Sequence, residues 1–126
     1  MLFTIEVNNK QIKALKGETI LSALNRNGIS VPTLCYMPKL SPTGACRMCV
    51  VEIEGMRALQ PSCSTKIAEG MKIETNNGKV FRARKTALDL MLSNHYADCV
   101  GPCKQTCPAG VDVQGYISYI EKGMYS

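Results

Sequence analysis

The chain has 126 residues, 45% of them hydrophobic and 20% charged, with a net charge of +5. That length suits one compact domain with a short appendage, and the balance excludes disorder along the whole chain. The positive charge forms no long run, there is no Trp and there are only two Phe, so the basic stripe interleaved with aromatics that marks a nucleic-acid binder is missing.

The first residues show no basic n-region and no long apolar stretch, which predicts no signal peptide. Nothing approaches the roughly 18 apolar residues of a membrane span. A cytoplasmic protein is expected. Residues 2–7 alternate Leu2, Thr4, Glu6 against Phe3, Ile5, Val7. Asn8-Asn9 offers a tight turn, and residues 11–15 alternate again, which predicts a hairpin. Thr19 is a candidate N-cap for a helix carrying Ile20, Leu21 and Leu24 on one face, and Gly28 a stop.

Residues 29–49 contain Pro32, Pro38, Pro42 and Gly44 and have no period. A long irregular loop inside a small domain is usually functional. Residues 50–54 predict a strand turned by Gly55, with residues 56–60 pairing back. Residues 71–75 predict a last short strand closed by Asn76-Asn77-Gly78. Strands with a helix across them make an α+β domain over residues 1–78. Residues 79–94 then carry Val80, Phe81, Arg84, Ala87, Leu88, Met91 and Leu92 at helical spacing. A Cys/Gly/Pro-rich segment and a second helix over about residues 112–122 complete a cysteine-rich helical region, 79–126.

Seven cysteines are many for a compartment that disfavours disulfides, and the odd count argues against a closed disulfide framework. Metal or redox chemistry is the better account. Cys35, Cys46, Cys49 and Cys63 are spaced C-x10-C-x2-C-x13-C. A 2Fe–2S cluster needs two thiolates on each iron. The C-x2-C pair sits on a tight turn, and the long loop and a strand end can supply the others. Gly44 lets backbone N–H groups approach the sulfurs. Four cysteines also fit a structural zinc ion in an interaction module, but such sites more often use two short knuckles, and only one is present.

"CYMPKLSPTGACRMCVVEIEG" followed by "PSCSTKIAEGMKIET" resembles the N-terminal ferredoxin-like domain shared by the large peripheral subunit of respiratory complex I, iron-only hydrogenases and NAD-linked formate dehydrogenases. The resemblance implies a β-grasp fold over residues 1–78. It also implies a 2Fe–2S cluster on Cys35, Cys46, Cys49 and Cys63, with Arg47 structural.

His95, Cys99, Cys103 and Cys107 form a second set, H-x3-C-x3-C-x3-C-P. On one continuous helix its ends would lie about 18 Å apart, too far for one cluster, so Gly101-Pro102 and Pro108 must break the segment. His95 reads equally as an iron ligand or as a cap on the preceding helix. "LSNHYADC" resembles the segment that follows the 2Fe–2S domain in complex I and hydrogenases, which implies a 4Fe–4S site here. Only the first ligand interval matches that family's pattern. "ADCVGPCKQTCPAGVDVQGYISYIEKG" is similar to the N-terminal cluster region of FAD-dependent, NAD(P)-linked oxidoreductases such as the small subunit of glutamate synthase. On that resemblance Cys99 and Cys103 serve one cluster and Cys107 another, and the chain is a fragment whose FAD and NAD(P) sites lie in the missing remainder.

There is one His, no G-x-G-x-x-G and no phosphate-binding P-loop, so no independent catalytic site is expected. The expectation is an electron-transfer module working with a flavoprotein, formate dehydrogenase or hydrogenase partner.

Overall fold

The computed structural model describes residues 2–96 and 100–125. Its contacts divide the chain into two units, residues 1–93 and 94–126.

In the first unit, strands β1 (Leu2–Val7) and β2 (Lys10–Leu15) pair antiparallel in full register, Leu2 opposite Leu15 and Val7 opposite Lys10. The hairpin turns at Asn8 and Asn9, both with positive φ (49° and 63°). Two consecutive left-handed residues make the turn whose twist matches the strands, and Asn tolerates that conformation. Helix α1 (Ile20–Arg26) begins where the Thr19 side chain accepts the Ser22 N–H at 3.2 Å, a cap worth about 1 kcal/mol.

Strands β3 (Val50–Ile53), β4 (Gln60–Pro61) and β5 (Lys72–Glu74) follow. The sheet order is β2-β1-β5-β3-β4, with β1 and β5 parallel and every other pair antiparallel. It is a mixed sheet crossed by helices. The segment after Gly55 pairs back only at Gln60 and Pro61. Pro61 lacks a donor, which is tolerable at a sheet edge.

One sheet face buries Ile5, Val7, Ala14, Val51, Ile53 and Ile73 against Ile20, Leu21, Ala23 and Leu24 of α1. Each large apolar side chain buried there contributes about 1.5–3 kcal/mol. Val50 lies outside that cluster but is also buried, because alternation turns it to the opposite face. There helix α2 (Gly78–Ser93) packs on β3. The boundary expected at 78/79 coincides with the start of α2, whereas the contacts keep the whole helix with the sheet.

Asn77, expected only to close a strand, caps α2: its side-chain oxygen accepts the Val80 N–H at 2.9 Å. Only part of the expected apolar stripe is covered. Val80 is buried and Arg84, Ala87 and Met91 are half-buried, while Phe81, Leu88 and Leu92 are exposed.

The second unit contains α3 (Pro102–Gln105) and α4 (Val113–Glu121). Gly101 is the extended N-cap of α3, with Pro102 at its first position, where a missing N–H costs nothing. Helix α3 ends at Gln105 with Thr106 as its C-cap, so no continuous helix runs through Cys103 and Cys107. Neither helix has a buried residue. No helix among the described residues is long and apolar enough to cross a membrane.

Candidate metal centre

Residues 27–49 form the loop between α1 and β3. Val31 anchors it in the core. Cys35 is exposed on it, Cys46 half-buried, and Cys49 is buried at its end, one residue before β3. Cys63 is buried in the turn after β4. Cys49 and Cys63 are each 1% exposed and belong to the hydrophobic core.

That turn is fastened from two sides. The first N–H groups of α1 have no partner within the helix. Ile20 donates to the Thr65 carbonyl at 3.0 Å and Leu21 to the Ser62 carbonyl at 2.9 Å. Ser62 also donates to the Cys49 carbonyl through its N–H (3.1 Å) and its hydroxyl (2.7 Å). The positions of Cys49 and Cys63 are thereby tied together through the backbone.

Gly44 and Arg47 both have positive φ (64° and 58°). A Cβ on Gly44 would meet Ser64 Oγ at 3.0 Å and the Pro61 ring at 3.2 Å. The loop therefore presses its bare backbone onto the Cys63 turn, a close approach that only Gly permits. Arg47 is exposed between Cys46 and Cys49 and contributes a left-handed bend there.

The four thiols stand as two neighbouring pairs. The backbone N–H and thiol of Cys46, the Thr43 hydroxyl and the Ala45 N–H all face the Cys35 sulfur, and together they bring its pKa down from 9.0 to about 7. Thr43 Oγ1 lies 3.9 Å from that sulfur, and the Met48 N–H donates to Cys46 Sγ at 3.5 Å. Burial, then the adjacent Cys49 thiol, pushes Cys63 up to about 11. Cys35 also acts electrostatically on Cys63, so the two pairs are within range of one another. No three His, Cys, Asp or Glu side chains among the described residues converge on one point.

Cysteine spacing gives no hint of Thr43, Ser62 or Ser64, nor of Arg84. Arg84 Nη2 donates to the carbonyls of Val50 (2.8 Å) and Thr75 (3.0 Å). The one sequence signal for Arg84 is a cation set among the apolar residues of the α2 stripe.

In the second unit Cys103 lies on α3 and is exposed; Cys107 follows it, half-buried. The backbone N–H groups of Val111, Ala109 and Gly110 hold the Cys107 pKa below its ordinary value. Lys104 pairs with Asp112 at 2.9 Å and links the two short helices. His95 is exposed, and Cys99 lies outside the described residues.

A family model described as a 2Fe–2S iron–sulfur cluster binding domain matches residues 1–78. This chain belongs to that family. It is 42% identical over 98 residues to an NADH-quinone oxidoreductase subunit of Rhizobium meliloti, covering 78% of this chain and 12% of that protein. It is 41% identical over 109 residues to the NADPH-Fe(3+) oxidoreductase subunit alpha of Geobacter sulfurreducens, covering 86% and 12%. An NAD+-reducing [NiFe]-hydrogenase, solved in its H2-reduced state, superposes with a TM-score of 0.67 at 29% identity, covering 77% of this chain and 42% of that one. The chain thus spans about one eighth of the length of these curated relatives.

Proposed function

We propose that Cys35, Cys46, Cys49 and Cys63 hold a 2Fe–2S cluster through which this β-grasp domain relays single electrons. Cys35 and Cys46 serve the outer iron, and Cys49 and Cys63 the inner one. The observation that carries this is the pairing of the four thiols. Two tetrahedral irons each need two thiolates, and the molecule presents two pairs, one with exposed Cys35 and half-buried Cys46 and one in the core. Backbone N–H groups already directed at the Cys35 and Cys46 sulfurs suit thiolates and sulfides, which gain from such hydrogen bonds. A single zinc ion, the other reading of four cysteines, would need all four sulfurs at one point.

When bound, the cluster supplies one-electron chemistry. The protein's share is to hold it, shield its inner side with the α1 core and leave the Cys35 side open to a partner. Electron exchange with a nicotinamide-linked oxidoreductase subunit fits the relatives' names, and a flavoprotein, formate dehydrogenase or hydrogenase partner in the cytoplasm belongs to the same reading. FAD and NAD(P) would then bind elsewhere in the longer protein.

A second, 4Fe–4S site on His95, Cys99, Cys103 and Cys107, of the type that opens glutamate-synthase-like flavoproteins, belongs to the same reading. The amide-lined Cys107 is its support.

Low-temperature EPR of the anaerobic, dithionite-reduced chain tests the proposal, with iron and acid-labile sulfide counted on the same sample. Two irons per chain and a rhombic signal that persists at liquid-nitrogen temperature are expected for the first site. Colourless protein containing zinc would overturn it. About six irons, with an added fast-relaxing signal, would show the second site filled as well.

A further inference from the structure

Arg84 lies outside the matched domain, on α2, yet its guanidinium reaches the first residue of β3. It donates to the carbonyl of Val50, the residue bonded to Cys49, and to that of Thr75. Thr75 is buried. No carboxylate pairs with Arg84 among the described residues; the ion pairs of the first unit use Arg26, Lys72, Lys79 and Lys85. Among the described residues, its Nε is the one buried side-chain nitrogen or oxygen without a hydrogen-bond partner. A half-buried cation held only by neutral carbonyls is costly to keep, and none of the hydrogen bonds it makes requires a positive charge.

What could repay that charge is a nearby anion. Burial holds the Arg84 pKa below its ordinary value, and Cys49 acts electrostatically in the opposite direction, favouring the charged guanidinium. Two ferric ions, two sulfides and four thiolates sum to a dianion, and one electron makes it a trianion. Two carbonyls hold the guanidinium in place, so it need not move when the electron arrives. In a partly buried site, away from bulk water, its field is weakly screened.

We propose that Arg84 is a positioning residue for the electron: its fixed positive charge beside Cys49 stabilises the reduced cluster and raises the reduction potential of the domain. This rests on the 2Fe–2S reading of the four cysteines. It adds a determinant of potential outside the ligand loop.

The test is an anaerobic EPR-monitored redox titration of the loaded full chain, with dithionite as the electron donor and iron counted beforehand. Arg84→Gln keeps a donor for the carbonyls and removes the charge. It should disfavour reduction on the order of tenfold, which for one electron is a midpoint lower by about 59 mV. Arg84→Lys keeps the charge and should stay within about twofold of wild type. An R84Q midpoint equal to wild type, or an R84K shift as large as that of R84Q, overturns the proposal.

Should R84Q take up no iron, two exposed positions decide. Leu88→Glu places a carboxylate one helical turn from Arg84 and should weaken reduction about twofold. Leu90→Glu, off that face, should leave the midpoint unchanged. Equal midpoints for L88E and L90E overturn the proposal. Absence of a two-iron signal from the wild-type chain sinks the cluster reading instead, whatever Arg84 does.

Discussion

Cys49 and Cys63 are part of a hydrophobic core that includes Ile5, Leu21, Val51 and Ile73. Cys103 and Cys107 sit on a four-residue helix and the turn that follows it, beside helices with no buried residue. Both regions direct backbone N–H groups at a cysteine sulfur, at Cys35 in one and Cys107 in the other. The amide pattern that suits a thiolate is therefore a local product of turn geometry and needs no core. What the core adds in the first region is a second, buried pair of thiols whose separation is set by strands β3 and β4 and the turn that follows β4. A ligand loop without that backing relies on metal, partner or further chain to hold its shape.

Several experiments would break or sharpen this contrast. The largest effect is expected from Cys49→Ser or Cys63→Ser, either of which should abolish the two-iron EPR signal. Cys103→Ser and Cys107→Ser should leave it intact. Loss of the rhombic signal in C107S would show that the regions are not independent.

Next comes the core itself. Ile73→Ala should destabilise the first unit by about 2–5 kcal/mol in chemical denaturation. Ile117→Ala on exposed α4 should stay within about 0.5 kcal/mol. Gly44→Ala combines a positive φ with contacts at 3.0–3.2 Å and should cost on the order of 1–3 kcal/mol, with faster cluster loss. Gly110→Ala has a similar φ but open space around it, and should cost only the conformational part, about 1–2 kcal/mol.

The smallest effects lie in the pH dependence of the metal-free protein. Alkylation of exposed Cys35 should reach half its maximal rate near pH 7, where its thiolate forms, and Cys63 should resist until far higher pH. Cys63 also contributes to stability. Its folded pKa of about 11 exceeds the ordinary 9.0, so between those values the unfolded chain holds fewer protons than the folded one. Its contribution is fully present below about pH 9 and is lost as pH rises toward 11. A melting temperature that climbs over that interval would contradict the buried, protonated Cys63.

Much of this molecule is legible without coordinates. The alternation of residues 2–7, the Asn8-Asn9 turn, the Thr19 cap, the strand before Gly55, and helices placed within a residue or two at 78–93 and 113–121 all follow from local preferences. These depend on neighbours three or four positions away, so a linear reading captures them. The spacing of Cys35, Cys46, Cys49 and Cys63 is legible in the same way, because a C-x2-C turn, a cysteine on a long loop and one at a strand end carry their own geometric meaning.

Other features depended on contacts between distant segments. No local rule says that β5 inserts between β1 and β3, that Asn77 caps a helix where a strand closure was expected, or that Phe81 and Leu88 stay exposed on an apolar stripe while Arg84 turns inward. The division of four thiols into an outer pair, Cys35 and half-buried Cys46, and a buried pair likewise arises only when the loop, packed through Gly44 onto Pro61 and Ser64, meets the turn fastened to the first residues of α1. Sequence alone determined which residues could be ligands and, to within a residue or two, where the hairpin, α1, α2 and α4 lie, since those choices are made by covalent geometry and short-range hydrogen bonds. Tertiary structure decided which sulfurs are neighbours, which are shielded from water and which cation reaches the Val50 carbonyl next to Cys49, because burial and electrostatics are properties of the assembled fold.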